Sequence, residues 1–95
     1  MTYVLAVKIT AAPGDEDRLL QSLRRITALT REEDGCMLFL LHRDKSDQRV
    51  FFIYERFTDR NAHDAHLETE HFKNIAEVEI MPHAAAFELT ELEPL

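Results

Sequence analysis

Two apolar runs, Cys36 to Arg43 (CMLFLLHR) and Arg49 to Phe57 (RVFFIYERF), are separated only by the polar stretch Asp44-Lys45-Ser46-Asp47-Gln48. Short runs rich in aromatic and branched residues, joined by so brief a polar turn, predict an antiparallel hairpin. Successive strand residues face opposite sides. Met37, Phe39 and Leu41 therefore oppose Cys36, Leu38 and Leu40, while Phe51 and Ile53 oppose Val50, Phe52 and Tyr54. Both sides are apolar. A sheet built on this hairpin needs cover on two faces.

The rest of the chain supplies cover for one. Thr2 to Thr10 alternates as a strand, and Ala12-Pro13-Gly14 stops it. Asp15 to Arg31 reads as a helix, with Leu19, Leu23 and Ile26 on one face, supported by Ser22 and Leu29. Asp15, Glu16 and Asp17 in its first turn complement the dipole, as do Arg24, Arg25 and Arg31 further on. Glu33-Asp34-Gly35 ends this helix, with Gly35 suited to a left-handed C-terminal position. Asp59 to Glu79 is predicted helical, broken near Glu68 to Glu70, where Thr69 can cap a second piece. Pro82 ends that helix and Ala84 to Leu92 forms the last strand. The order βαββαβ predicts an α+β, ferredoxin-like plait, a four-stranded antiparallel sheet with both helices on one face. The bare face calls for a second copy of the same sheet, hence a homodimer.

Size and charge narrow the function classes. Ninety-five residues make one domain spanning 1–95. A net charge of −7, with Arg24-Arg25 the only adjacent basic pair, argues against a nucleic-acid partner. It disfavours an anionic membrane surface for the same reason. Cys36 is the only cysteine, so no internal disulfide forms. The N-terminus alternates as a strand does and lacks a basic leader region. No window approaches the ~20 apolar residues of a membrane span, and a cytoplasmic setting is expected.

Titratable groups gather in one place. His63, His66 and His71, three of the five histidines, follow closely on Tyr54-Glu55-Arg56. Apolar surroundings and a nearby carboxylate shift imidazoles toward working pH. Plain readings stand beside the chemical ones. His63 suits a solvated helix position, His42 an exposed strand end, His71 a helix cap, and His83 has no evident partner. His63 and His66 have workable metal-ligand spacing, with Asp64 or Glu70 as a third donor, but no H-E-x-x-H pattern or facial triad accompanies them. No metal is expected. With glycine only at 14 and 35 there is no phosphate loop, and Cys36 has no sequence sign of an activating base.

In sequence order stand Glu33-Asp34-Gly35-Cys36, Leu41-His42-Arg43-Asp44, Tyr54-Glu55-Arg56-Phe57, Ala65-His66 and Thr69-Glu70-His71-Phe72. This series resembles the antibiotic biosynthesis monooxygenase domain family from Tyr3 to about Leu89. Its most specific part is Y-E-x-aromatic followed by H-x-x-T-x-H-F. The resemblance implies a protomer that dimerises sheet against sheet into an α+β barrel, with a ligand pocket between sheet and helices. Members of the family act as cofactor-independent oxygenases on quinols, anthrones or related polycyclic substrates. Others degrade haem, isomerise small phosphorylated sugars or have no known reaction. The haem-degrading branch uses Asn, Trp and His at places held here by Val7, Phe57 and Ala76, so haem degradation is disfavoured.

If Phe57 faces the helices, as the family's aromatic does, Ile53 and Glu55 share that side and Tyr54 and Arg56 take the other. The resulting expectation is a cofactor-free monooxygenase for a small quinol-like or polyphenolic molecule. His66 is its base, Glu55 orients His66, and His71 or Tyr54 assists, with Phe57, Phe72 and Ile53 lining the pocket. A cofactor-free isomerase using the same base is the alternative. So is a non-catalytic ligand-binding or stress-associated dimer in which Glu55 and His66 only satisfy one another.

Overall fold

A computed structural model describes all of residues 1–95. Its elements are β1 (Tyr3–Ala11), α1 (Glu16–Thr30), β2 (Cys36–Arg43), β3 (Val50–Phe57), α2 (Arg60–Leu67), α3 (Phe72–Ile80) and β4 (Ala84–Leu92). The strands form one antiparallel sheet in the order β2-β3-β1-β4. Both central strands, β1 and β3, are apolar on alternate residues, and the helices lie on one face. This is the ferredoxin-like α+β arrangement that the element order predicts.

The core forms where α1 and α3 meet the middle of the sheet. Leu19, Leu23 and Ile26 of α1 are buried against Val7, Ile9, Phe51 and Ile53, with Ile75 and Ile80 from α3 closing the layer. Ser22 is buried as the helical period requires, and its hydroxyl donates to Glu79 at 2.9 Å. Leu29 differs from expectation: it is exposed, and Thr27 and Thr30 turn inward instead. The Thr27 hydroxyl is satisfied by donating to the carbonyl of Leu23 at 2.7 Å.

The second helical segment breaks where its sequence permits. Asp59 Oδ1 accepts from the Ala62 amide at 2.8 Å and starts α2. The Thr69 hydroxyl donates to the His66 carbonyl and accepts from the Phe72 amide, ending α2 and starting α3. From Phe72 to Ile80 the turns are wide, of the π type, a form common beside functional sites.

Gly35 corrects an expectation. Its φ is not positive; only Gly14, at 88°, occupies the left-handed region. A Cβ on Gly35 would collide with that of Ala62 and press on the Thr58 hydroxyl at 3.3 Å. Thr58 also donates its amide to the Gly35 carbonyl at 2.9 Å. Glycine is required here for close approach, which brings the α1–β2 connection down onto the first turn of α2.

β4 is barely covered. Phe87 and Leu89 pair with Ile9 and Val7 on the helix side of the sheet, yet they are 46% and 47% exposed. The helices stop short of this edge strand. The opposite sheet face carries Leu38, Leu40, Phe52 and Leu92, all exposed. No helix is long and apolar enough to cross a membrane.

Candidate active site

Between sheet and helices lies a cavity of about 240 Å³. Its floor is Val7, Ile53 and Phe39, its roof Leu23, Phe72 and Ala76, and its mouth opens beside Phe87 and Leu89. Three titratable side chains reach an otherwise apolar wall: Glu55, His63 and His66.

Glu55 comes from the middle of β3, between Leu5 of β1 and Phe39 of β2. Both neighbours are buried, and Glu55 itself is only 6% exposed. No side chain or backbone group bonds its carboxyl, and its oxygens are not sealed off from the cavity. Burial, seconded by the charge of Glu33, raises its pKa to about 8. Near neutral pH the group is predominantly a carboxylic acid, able to donate a proton or a hydrogen bond.

His66 is 3% exposed and packed among the rings of Phe57 at 5.4 Å, Phe72 at 5.2 Å and Phe39 at 6.0 Å. Its Nδ1 donates to Glu33 Oε2 at 2.8 Å. A carboxylate can only accept, so in the neutral ring the proton sits on Nδ1 and Nε2 keeps its lone pair. Nε2 has no partner within the protein and is not sealed from solvent. Burial lowers the His66 pKa, against the opposing hydrogen bond and charge of Glu33. A neutral, oriented imidazole facing an apolar cavity is suited to accept a proton.

His71 completes the cluster from the other side. Its Nε2 donates to the same oxygen, Glu33 Oε2, at 2.6 Å. Glu33 sits in the α1–β2 connection that Gly35 holds against α2, which is how one carboxylate reaches two histidines on a later segment.

The sequence-derived site is thus partly assembled and partly rearranged. Glu55, His66, Ile53 and Phe72 share the cavity wall. The carboxylate that bonds His66, however, is Glu33 and not Glu55. Strand parity seated Glu55 on the correct side, but a side chain fixed in mid-strand could not follow the helix to the far edge of the imidazole. Phe57 is fully buried behind His63 and His66 and supports their rings without lining the cavity. Tyr54 lies on the opposite sheet face, where its hydroxyl accepts from Arg56 Nη2 at 3.3 Å. His71 reaches the cavity only through Glu33 and His66.

His63, read as solvated, is buried between Tyr3 at 5.0 Å and Phe57 at 5.2 Å. Burial lowers its pKa. His83, read as unpartnered, bonds Asp15 Oδ2 at 3.1 Å across the α1 entry. His42 is exposed, as expected. Glu33 is the residue that the reading of side-chain chemistry missed. Its signal was its place at the head of Glu33-Asp34-Gly35-Cys36, which reads as a helix end and as part of the family resemblance but not as a source of a functional carboxylate.

The fold agrees with what the chain is similar to. The family profile described as antibiotic biosynthesis monooxygenase matches residues 2–78. The crystal structure of PA3566 from Pseudomonas aeruginosa superposes with a TM-score of 0.92 at 32% identity, covering 99% of this chain and 94% of that one. A crystal structure described as an antibiotic biosynthesis monooxygenase gives 0.90 at 28%, covering 100% and 99%. Rv0793 from Mycobacterium tuberculosis gives 0.91 at 23%, over 100% and 96%, and so speaks for the fold. No curated protein sequence matches significantly. The profile spans both Glu33 and the histidine segment, and the chain belongs to the antibiotic biosynthesis monooxygenase family.

Proposed function

We propose that the protein is a cofactor-independent monooxygenase for one- or two-ring quinol-like aromatics, working as a homodimer in the cytoplasm. The observation that carries this is that His66, oriented by its bond to Glu33, and the unpaired Glu55 line one apolar cavity. Burial favours the neutral form of both, a lone pair on His66 and a proton on Glu55.

The size of the cavity selects the substrate. A dry cavity of about 150 Å³ accepts a single benzene ring, so about 240 Å³ holds one to two rings. Flat apolar walls with few polar groups suit such a ligand. His66 Nε2 removes a phenolic proton, leaving an electron-rich anion. The ring carbon next to the oxyanion gives its electrons to O₂, forming a C–O bond and a peroxide. Glu55 protonates the distal oxygen, the O–O bond breaks, and the same carbon loses its hydrogen as a proton. A naphthohydroquinone and O₂ thereby become a hydroxynaphthoquinone and water. The substrate supplies all four electrons, so the balance needs no external reductant.

The homodimer reading rests on the outer sheet face. Leu38, Leu40, Phe52 and Leu92 are exposed together there. On the same face the buried Arg56 Nε has no hydrogen-bond partner. A second sheet would cover the apolar groups and bring acceptors to Arg56.

The test is O₂ uptake by metal-stripped protein against benzo- and naphthohydroquinones, with His66→Ala alongside. General-base catalysis contributes about 10²- to 10⁴-fold, and the variant should lose that much. Uptake equal in wild type and variant would remove the monooxygenase reading. His66-dependent proton exchange without uptake would point to the isomerase.

A further inference from the structure

We propose that Glu33, His66 and His71 form a binding site for a divalent first-row transition cation. The inference rests on the geometry of this cluster and stands whether or not His66 serves as a base. One ligand atom from each of Glu33, His66 and His71 lies within 4.8 Å of the other two, and Glu33 Oε2 is 2.8 Å from His66 Nδ1 and 2.6 Å from His71 Nε2. They come from three segments, the α1–β2 connection, α2 and the residue preceding α3. The sequence spacing pointed elsewhere, to His63 with His66, and the structure leaves His63 out of the cluster.

The donor set is two imidazole nitrogens and one carboxylate oxygen. That combination suits borderline cations such as Zn²⁺, Co²⁺ or Ni²⁺, whereas Ca²⁺ and Mg²⁺ favour all-oxygen shells. Bonds of roughly 2.0–2.2 Å place neighbouring ligands roughly 3–3.5 Å apart. The two N···O separations are 2.8 and 2.6 Å. On the carboxylate side a cation therefore asks for a widening of less than about an ångström, which the Glu33 side chain can supply from its loop. Glu33 has no Lys or Arg partner to displace; its only ion-pair partners are the two histidines. The side chains of Glu33 and His71 are 14% and 17% exposed, which leaves an entry path and room for water as a fourth ligand.

Binding changes the tautomers. Each imidazole turns a lone pair to the cation and carries its proton on the far nitrogen. For His66 the far nitrogen is Nε2, so a bound cation converts a proton acceptor at the cavity into a donor. Metal occupancy and use of His66 as a base exclude one another.

The experiment titrates the metal-stripped full chain with Zn²⁺ by calorimetry and with Co²⁺ by visible absorption. It is followed by ¹⁵N imidazole spectra of the wild type with and without Zn²⁺. The expected result is one ion per chain, perturbed His66 and His71 resonances, and affinity lowered at least about tenfold in Glu33→Gln and in His71→Ala. His42→Ala should bind as wild type does. Absence of saturable binding, unchanged affinity in both cluster variants, or perturbation confined to His42 and His83 would overturn the proposal. If a cluster variant fails to fold, the wild-type imidazole spectra decide. Because binding is read directly, a chain inactive toward quinols can still bind, and an active one can still fail to.

Discussion

Replacing Glu55 by Gln tests the electrostatics of the cavity without any knowledge of its substrate. Glu55 ionises at about 8 in the fold, against 4.5 for an ordinary glutamate. Between those values the folded chain keeps a proton that the unfolded chain releases, so stability falls as pH rises. The contribution of the neutral carboxyl is complete below about pH 4.5 and lost as pH climbs through about 8. Three and a half pH units at about 1.4 kcal/mol each set a ceiling near 5 kcal/mol. Water entering through the open mouth by Phe87 and Leu89 relieves part of this, and about 2–4 kcal/mol is expected. Gln has the shape of the neutral acid and does not titrate. Urea unfolding of both proteins from about pH 5 to about pH 9 should show Glu55→Gln gaining that much over wild type at the alkaline end. His63 and His66, whose pKa values are lowered, act in the opposite sense, losing stability as pH falls below about 6.5, but they are present in both proteins and largely cancel. A difference that changes by less than about 1 kcal/mol across the range would mean that Glu55 is ionised and solvated at neutral pH. The protonated-acid role would then be withdrawn.

Three further outcomes follow from named contacts. Glu33→Gln removes the charge that supports the basicity of His66. It should lower kcat/KM by about 10- to 100-fold and move its acidic limb to lower pH; an unchanged profile would separate Glu33 from the base. Gly35→Ala drives a methyl into Ala62 and should cost about 1–3 kcal/mol in thermal unfolding, whereas an unchanged midpoint would show that the α1–β2 connection yields freely. Leu40→Glu puts a charge on the bare sheet face. Light scattering should move from twice the 11.1 kDa chain mass to that mass itself, and a wild type already at 11.1 kDa would end the dimer reading.

Local pattern was enough for the elements and their order. Strand alternation, the DKSDQ turn, the heptad-like spacing of Leu19, Leu23 and Ile26, and the Thr69 break are short-range properties, written in neighbouring residues. So was the face of Glu55, because strand parity is strict. The resemblance also pointed to the family, through residues that lie in sequence order. What the chain could not disclose locally is which carboxylate meets His66. Glu33 and His66 are far apart in sequence, and their meeting depends on how deeply the α1–β2 connection settles onto α2. A missing Cβ at Gly35 decides that depth. The burial of His63, the retreat of Phe57 behind the imidazoles and the open edge at β4 have the same origin. Each depends on where a helix ends over the sheet, a packing outcome summed over many distant contacts. The sequence alone therefore determined a ferredoxin-like sheet with histidines beside it, while tertiary packing alone decided that the buried carboxyl of Glu55 stays unpaired and the half-buried Glu33 holds two histidines.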